Sequence, residues 1–586
     1  MNAVVDQNRP LAPTWLRSLV LLLLVVGIVF RFVNLNHKVY WHDEVVTSLR
    51  AAGYTQQEVV QHLFQNHVIP TKDLLRFQQI KPGSTPIDTV RSLVREDPKQ
   101  PPFYHLLDRL WIQGLGDSIY AIFGSPITAP RLLPALLSVL TLPVMYALAW
   151  ELFASHAIAL LATAFLAVSP FDVVLAQTAC QTSFLGLTVI ASHYLLLRAC
   201  RLANVSKFRS RDVFKQSPST WQHWGWYGLS ATVGLYTHPV FALALLGQAI
   251  WLMQGTIAPK QATNEKQRVA RFWLSLLVAG LLYVPWLLVS TTSFLHNTET
   301  NRWAVDVPSV SALAKQWLFS LTALLIDLNG FDNGWTFGLR LFLVGLMILA
   351  FYTLYRRSDR VGLFVLSITI VPFVILMLAD VVLQGSRSTV NRYLLLSYSG
   401  VQLAIAHFLA ARLAPRPHYL SPKPTPQRQS RWPRFSLQFT PYTWTFLNRW
   451  FWRMVLLTLF AVSLTACTVS AASFSWQHGD QSDLNAAIAA RINADPSPLL
   501  LSEAGENASN LSDLISLSYK LTPNVRMLLL GPDVNWVTTP SFTAATDGLT
   551  VLGFRPSSAL KEALERSRHA LQPFLPGANV WLVSKP

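Results

Sequence analysis

The chain has 586 residues, is 52% hydrophobic and only 13% charged. A soluble domain carries about 25% charged residues, so a soluble globular fold is excluded and a polytopic membrane protein is indicated. The formal net charge of +17 invites a nucleic-acid reading. The excess, however, sits in short segments between apolar runs, as in cytoplasmic loops, and no nucleic-acid partner is expected. Cys180, Cys200 and Cys467 lie in or beside apolar runs and imply no disulfide framework.

The first apolar run, about 16–35, follows Arg9 and Arg17. That places the N-terminus in the cytoplasm. No small-residue cleavage site follows, so the run reads as a retained span. Residues 36–128 are polar and charge-balanced, a first extracytoplasmic loop. Short amphipathic helices are expected near 56–64 and 87–95. The run 106–115 is too short to span and carries Asp108 and Arg109, so it reads as an interfacial helix. Further spans are expected over 129–153, 156–175, 182–199, 224–236, 240–253, 272–289, 337–355, 361–383, a stretch ending at Ala410, and 454–472. That makes about eleven in a membrane domain covering 1–472. The acid-poor basic loops, including 412–453, then fall on the cytoplasmic side. The loops bearing Asp43, Gln177, His238 and Arg387 to Arg392 fall together on the opposite side, the outside of what reads as a plasma-membrane protein.

Residues 473–586 return to a soluble composition. Strands are expected at 498–501, 525–530, 549–554 and 580–583, and helices at 484–492 and 557–571, the latter capped by Ser557 or Ser558. This reads as a small extracytoplasmic α/β domain that covers the membrane part or contacts an acceptor.

The stretch Tyr40-Trp41-His42-Asp43-Glu44 follows the first span directly. Two readings fit its carboxylates. They are a solvated pair at a helix end, or a general base acting where a substrate's tail lies in lipid.

Several short motifs recur in order: Trp41-His42-Asp43-Glu44, Pro101-Pro102-Phe103-Tyr104, Arg131-Leu132-Leu133-Pro134, Ser169-Pro170-Phe171, Tyr236-Thr237-His238 and Arg392-Tyr393-Leu394. In this order, over about residues 16–411, the chain resembles the membrane glycosyltransferases of the GT-C fold. Within them it is most similar to the protein-mannosyltransferase and aminoarabinose-transferase group. The resemblance implies a sugar donor linked by phosphate to a polyprenol. It also implies a hydroxyl acceptor on lipid, polysaccharide or protein, and transfer with inversion on the outer face. Asp43 matches the family's catalytic aspartate. A sugar hydroxyl is a poor nucleophile, so a carboxylate must take its proton. The leaving phosphate calls for cations, for which Arg387 and Arg392 are candidates and Lys99 a further one. Glu44 is expected to orient the loop and His42 to support it. Tyr104, Gln177, Thr178, His238 and Tyr393 are candidates for sugar or acceptor contact. His238 reads equally well as the cap of a turn, and the two arginines as anchors to lipid headgroups.

The chain departs from the family at Gln177-Thr178-Ala179-Cys180, where relatives often carry an acid and an arginine, and at Gln100, where they often carry His or Lys. The missing acid argues against a two-carboxylate metal site, and no cofactor is expected. It also keeps open a non-catalytic protein that binds lipid-linked sugar. A lipid-sugar flippase is the third alternative, though no internal repeat is visible.

Overall fold

A computed structural model describes residues 12–205, 219–254, 262–296, 309–328, 333–383, 385, 387–413, 441–476, 482–505 and 508–584. Most of the basic loop expected at 412–453 lies outside these residues, as does Arg9. Among the described residues, seven helices are long and apolar enough to cross a membrane, from Thr14–Phe32 to the 448–472 part of Pro441–Ala472. The pair His156–Ala167 and Pro170–Ala176 makes an eighth if it counts as one span bent by 58°. The remaining three segments expected to span are also helical: Ser219–Thr237, Phe241–Gln254 and Leu395–Leu413. They are shorter or more polar, because Phe241–Gln254 has only 14 residues and Leu395–Leu413 is buried along nearly its whole length by other helices.

The bend in the third span has a local cause. Pro170 has no backbone N–H, and the Ser169 side chain instead caps the helix it opens by accepting from the Asp172 N–H (3.3 Å). The break leaves carbonyls free in a setting where water cannot reach them. Arg31 of the first span supplies the donors, to Ala167 O at 2.5 Å and Leu166 O at 3.0 Å, and its Nε reaches Ser138 Oγ at 2.9 Å. The close approach needs Gly27, where a Cβ would lie 2.3 Å from the Ala167 carbonyl oxygen. A lone arginine inside an apolar run is thus a backbone cap for a neighbouring helix.

The segment read as a short interfacial helix at 106–115 is longer in the structure, Phe103–Phe123, and ends on Gly124 at φ 65°. Its N-terminal half buries Tyr104, His105, Asp108 and Arg109, while Leu110, Ile122 and Phe123 are exposed. Arg109 is fixed by the carbonyls of Ala51, Ala52 and Ser84 and by the hydroxyls of Thr89 and Ser84. Of the two charges that made the run look unfit to continue, Arg109 is the one that holds it to the first loop.

One six-stranded sheet completes the fold. Its strands are β1 (His67–Pro70), β2 (Pro498–Glu503), β3 (Arg526–Leu530), β4 (Thr550–Phe554), β5 (Ala570–Pro573) and β6 (Val580–Ser584), in the order β1-β3-β2-β4-β6-β5. Only the β2–β3 and β2–β4 pairs are parallel, with Leu500 opposite both Met527 and Leu552. Both faces of the central strands are buried, which explains their unbroken apolar runs. Leu500, Met527 and Leu552 face one cluster, and Leu499, Leu528 and Val551 the other. The helix expected over 557–571 ends sooner, at Ser558–Arg566, after its Ser557 cap. The chain then turns into β5, an exposed edge strand whose weak alternation gave no strand signal. β1 comes from the first polar segment, so the sheet is built from two distant parts of the sequence.

Replacing Arg31 by Ala leaves the Leu166 and Ala167 carbonyls unpaired. Each is expected to cost about 1–3 kcal/mol, read as a fall in unfolding free energy of the purified protein in mixed micelles.

Candidate active site

The short helix His42–Ala52 positions the site. It starts where the chain leaves the first span, with Asp43 and Glu44 in its first turn, where carboxylates favour the helix dipole. It ends at Gly53, whose φ of 91° suits a residue without a Cβ. Successive residues on a helix point about 100° apart, so the two neighbouring carboxylates face different surroundings.

Glu44 faces inward and is 1% exposed. It meets Arg131 in a two-pronged ion pair, with Nε to Oε1 at 2.8 Å and Nη2 to Oε2 at 2.7 Å. It also accepts from the Ala179 N–H at 2.6 Å and the Trp41 N–H at 2.9 Å. Arg131 donates onward to the carbonyls of Leu35 (2.6 Å) and Val39 (2.7 Å). Every charge in this buried pair is answered, as a buried pair requires.

Asp43 faces a cleft. One carboxylate oxygen is 2.9 Å from His42 Nε2 and the other is paired with Arg392. Burial by itself raises the Asp43 pKa, but Arg392 and then His42 more than reverse that and hold the carboxyl well below the usual carboxylate range. For a depressed carboxylate the ion pair's stabilisation is present above the ordinary carboxylate pKa. It is lost only as pH falls through the lower folded value, so Asp43 is ionised at neutral pH. The Arg392 guanidinium lies over the Trp41 ring at 5.2 Å and the Tyr393 ring at 5.9 Å.

The cleft is about 600 Å³, its open mouth included. Five stretches far apart in sequence line it. They are Asp43, Thr47 and Arg50; Asp97, Gln100 and His105; Cys180, Gln181 and Thr182; His238; and Arg392 with Tyr393. His238 accepts from the Val240 N–H at 3.1 Å and leans on the Tyr393 ring at 5.7 Å. Burial first, and Arg392 second, lower its pKa to about 4, so it is neutral.

The other residues singled out in the sequence lie elsewhere. Arg387 and Lys99 are exposed and do not line the cleft. The Arg387 backbone N–H donates to Asp380 at 2.9 Å. Tyr104 is fully buried, packed with Leu133, Leu137 and Phe184. Gln177 and Thr178 line a second recess behind Glu44, together with Lys38 and Arg131. There Gln177 accepts from Lys38 Nζ at 2.6 Å and donates to the carbonyls of Phe30 and Val33. Burial lowers the Lys38 pKa to about 8.

Sequence reasoning passed over Arg50 and Asp97 in the cleft. Arg50 carried a signal: Asp43, Thr47 and Arg50 fall at i, i+4 and i+7 on one helix face. Asp97 had only its place ahead of the paired prolines. Among the described residues, no group of three or more His, Cys, Asp or Glu side chains is placed to hold a metal ion.

Comparison with known proteins agrees with this architecture. Residues 110–301 match the family described as dolichyl-phosphate-mannose-protein mannosyltransferase. No curated protein matches the sequence. By structure, the chain is similar to apo ArnT from Cupriavidus metallidurans, at 14% identity and a TM-score of 0.52, covering 98% of this chain and 100% of that one. ArnT bound to undecaprenyl phosphate gives 13% identity and 0.49 over 97% and 99%. The oligosaccharyltransferase AglB from Archaeoglobus fulgidus, in complex with an inhibitory peptide and a dolichol-phosphate, gives 10% and 0.48 over 92% and 69%. The chain thus shares the fold of ArnT, and its residues 110–301 carry the matched family pattern.

Truncating Glu44 to Ala strands the Arg131 charge in the interior. The expected loss is about 3–5 kcal/mol of stability, visible as a lower unfolding midpoint in detergent. Glu44→Gln, which keeps the acceptor for the Ala179 N–H, is expected to lose less.

Proposed function

We propose that the chain is an inverting glycosyltransferase that takes a sugar from a polyprenyl-phosphate donor and passes it to a hydroxyl acceptor on the outer face of the membrane, with Asp43 as general base. The observation that carries this reading is the pairing of Asp43 and Arg392 within one cleft. A carboxylate and a guanidinium side by side are the two groups the reaction needs, one for the proton and one for the phosphate. The polyprenyl-phosphate donor follows from the family pattern matched over 110–301.

In the reaction the acceptor oxygen forms a bond to the anomeric carbon while the bond from that carbon to the phosphate oxygen breaks. The acceptor's proton goes to Asp43, and the electron pair leaves with polyprenyl phosphate. One base and a direct displacement give inversion. Arg392 stabilises the charge that grows on the departing phosphate. Before the donor binds, the same guanidinium holds Asp43 too weakly basic to take a proton efficiently. A phosphate drawing Arg392 toward itself loosens that hold, so the base strengthens when the donor is in place. His42 keeps the carboxylate oriented throughout.

The acceptor is a hydroxyl of a lipid, polysaccharide or protein. The C-terminal region is suited to meet it, because it already touches the site. The His42 N–H donates to Ser482 Oγ (3.1 Å), which donates to Asp513 (2.6 Å), and Asp513 pairs with Arg555.

Sugar transfer by the purified full-length protein, with a panel of labelled polyprenyl-phosphate sugars and with and without chelator, tests the reading. Asp43→Asn is expected to lower kcat by about 10²–10⁴-fold while the protein still folds and inserts, with a somewhat lower unfolding midpoint because the pair with Arg392 is lost, and full activity in that variant sinks the assignment. Donor binding without turnover for every sugar and acceptor would favour a lipid-sugar binding protein. The pH profile gives an independent check. Wild-type kcat/KM should show no Asp43 limb between about pH 5 and pH 8, because that group is ionised throughout. In Arg392→Gln the residual activity should acquire an acid limb at higher pH than wild type, as the carboxyl returns toward its ordinary range.

A further inference from the structure

The cleft holds a second carboxylate that the mechanism above does not use. Asp97 sits just before the paired prolines, lines the same cleft as Asp43, and its side chain is 28% exposed. Its acidic neighbour Glu96 is fully employed. The Glu96 oxygens accept from the Gln56 N–H (2.8 Å) and the Gln57 N–H (2.9 Å), fixing the start of the helix Gln56–Leu63. Asp97 has no such task. Its nearest cation, Arg50 Nη2, is 3.9 Å away, beyond hydrogen-bond range, and among the described residues its carboxylate accepts no hydrogen bond. A half-desolvated carboxylate with free lone pairs is costly. It is worth keeping where a ligand supplies the donors.

The wall beside it is built of neutral polar groups. Gln181 Nε2 donates to Gln100 Oε1 at 2.5 Å. A mutual bond between two amides leaves one NH₂ and one carbonyl over, whichever way the amides are turned. Asp97, Gln100 and Gln181 therefore offer a carboxylate, a donor and an acceptor on one side of the cleft. Asp43 and Arg392 line the same cleft, close enough that the Asp43 charge adds to the upward push on the Asp97 carboxyl, which is caused first by burial. Arg50 and then Lys99 oppose that push. Such a set of groups suits adjacent ring hydroxyls and not a phosphate, which a carboxylate repels.

We propose that Asp97, with the Gln100–Gln181 amide pair, binds hydroxyls of the donor's sugar ring and sets which sugar the protein accepts. The proposal rests on the lipid-linked-sugar reading of the cleft, and the test separates the two. Binding of sugar-free undecaprenyl phosphate is compared with binding of undecaprenyl phosphate bearing glucose, mannose or arabinose and their single-deoxy forms. The full-length protein in detergent is used, with transfer followed in parallel. Wild type is expected to bind one sugar-bearing lipid more tightly than the sugar-free lipid, and to lose about 10²-fold or more in kcat/KM when one particular hydroxyl is removed. Asp97→Asn is expected to erase that difference while leaving affinity for the sugar-free lipid unchanged, which a merely structural role would not do. Asp97→Glu keeps the charge beside Arg50 and moves the oxygens by one methylene. It is expected to reorder the sugars, and it serves if Asp97→Asn does not fold. Sugar discrimination that persists in both variants, or an equal loss of affinity for sugar-free and sugar-bearing lipids, overturns the proposal. Discrimination in binding that depends on Asp97, with no turnover in wild type, supports it and overturns the transferase reading instead.

Discussion

The buried Glu44–Arg131 ion pair is the constraint on which the site depends. It joins the helix that carries Asp43 to the long membrane helix Thr128–Phe153, and through the Ala179 N–H to the loop that contributes Cys180 and Gln181 to the cleft. Arg131 also gathers the carbonyls of Leu35, Lys38 and Val39, the stretch by which the chain leaves the first span. Such a pair yields little net stability over apolar residues of the same shape, because desolvating two charges nearly cancels their attraction. What it provides is direction. A two-pronged carboxylate–guanidinium contact has one good geometry, so the helix can turn only one face to the cleft.

That geometry explains why two adjacent carboxylates have different fates. Glu44 is spent on four donors and does not line the cleft. Asp43, one position earlier, has a histidine and an arginine that can be reassigned. Its lowered pKa is the opposite of the tuning expected of a standing general base. Under the proposed transferase reading, Arg392 is shared between Asp43 and the donor phosphate, and one guanidinium cannot hold both fully. The Arg392 guanidinium lies over two aromatic rings, those of Trp41 and Tyr393.

The membrane part obeys a related rule at larger scale. Polar groups away from water must be satisfied within the protein. Arg31 meets that need at the bend after Ala167, and Arg340 does so by donating to Thr322 Oγ1 at 2.8 Å. Arg31 anchors the break in regular helix at Ser169-Pro170, and that break is what directs the following loop, with Ala179 and Cys180, toward Glu44 and the cleft.

Composition and pattern alone determined a good deal. Low charge, long apolar runs and basic loops define a polytopic membrane protein, because a bilayer admits few other spanning structures. The runs at 498–501, 525–530 and 549–554 announce buried strands, because a sheet covered on both faces needs no polar alternation. The order of the short motifs leads to the GT-C fold. Tertiary structure decided the rest. Asp43, His238, Arg392 and Tyr393 line one cleft only because spans of different lengths return their loops to one place, which no local pattern encodes. Gln177 and Thr178 look like cleft residues from their position beside Cys180, yet they turn to the recess behind Glu44, since Gln177 is needed by Lys38 and two carbonyls. Arg387 and Arg392, five residues apart and alike in sequence, separate into an exposed side chain and a cleft side chain. β1 and β5 are short edge strands that carry little apolar signal, so only their partners define them. Asp97 stands out only when its lack of a hydrogen-bonding partner among the described residues is visible, and partners of that kind come from distant parts of the chain.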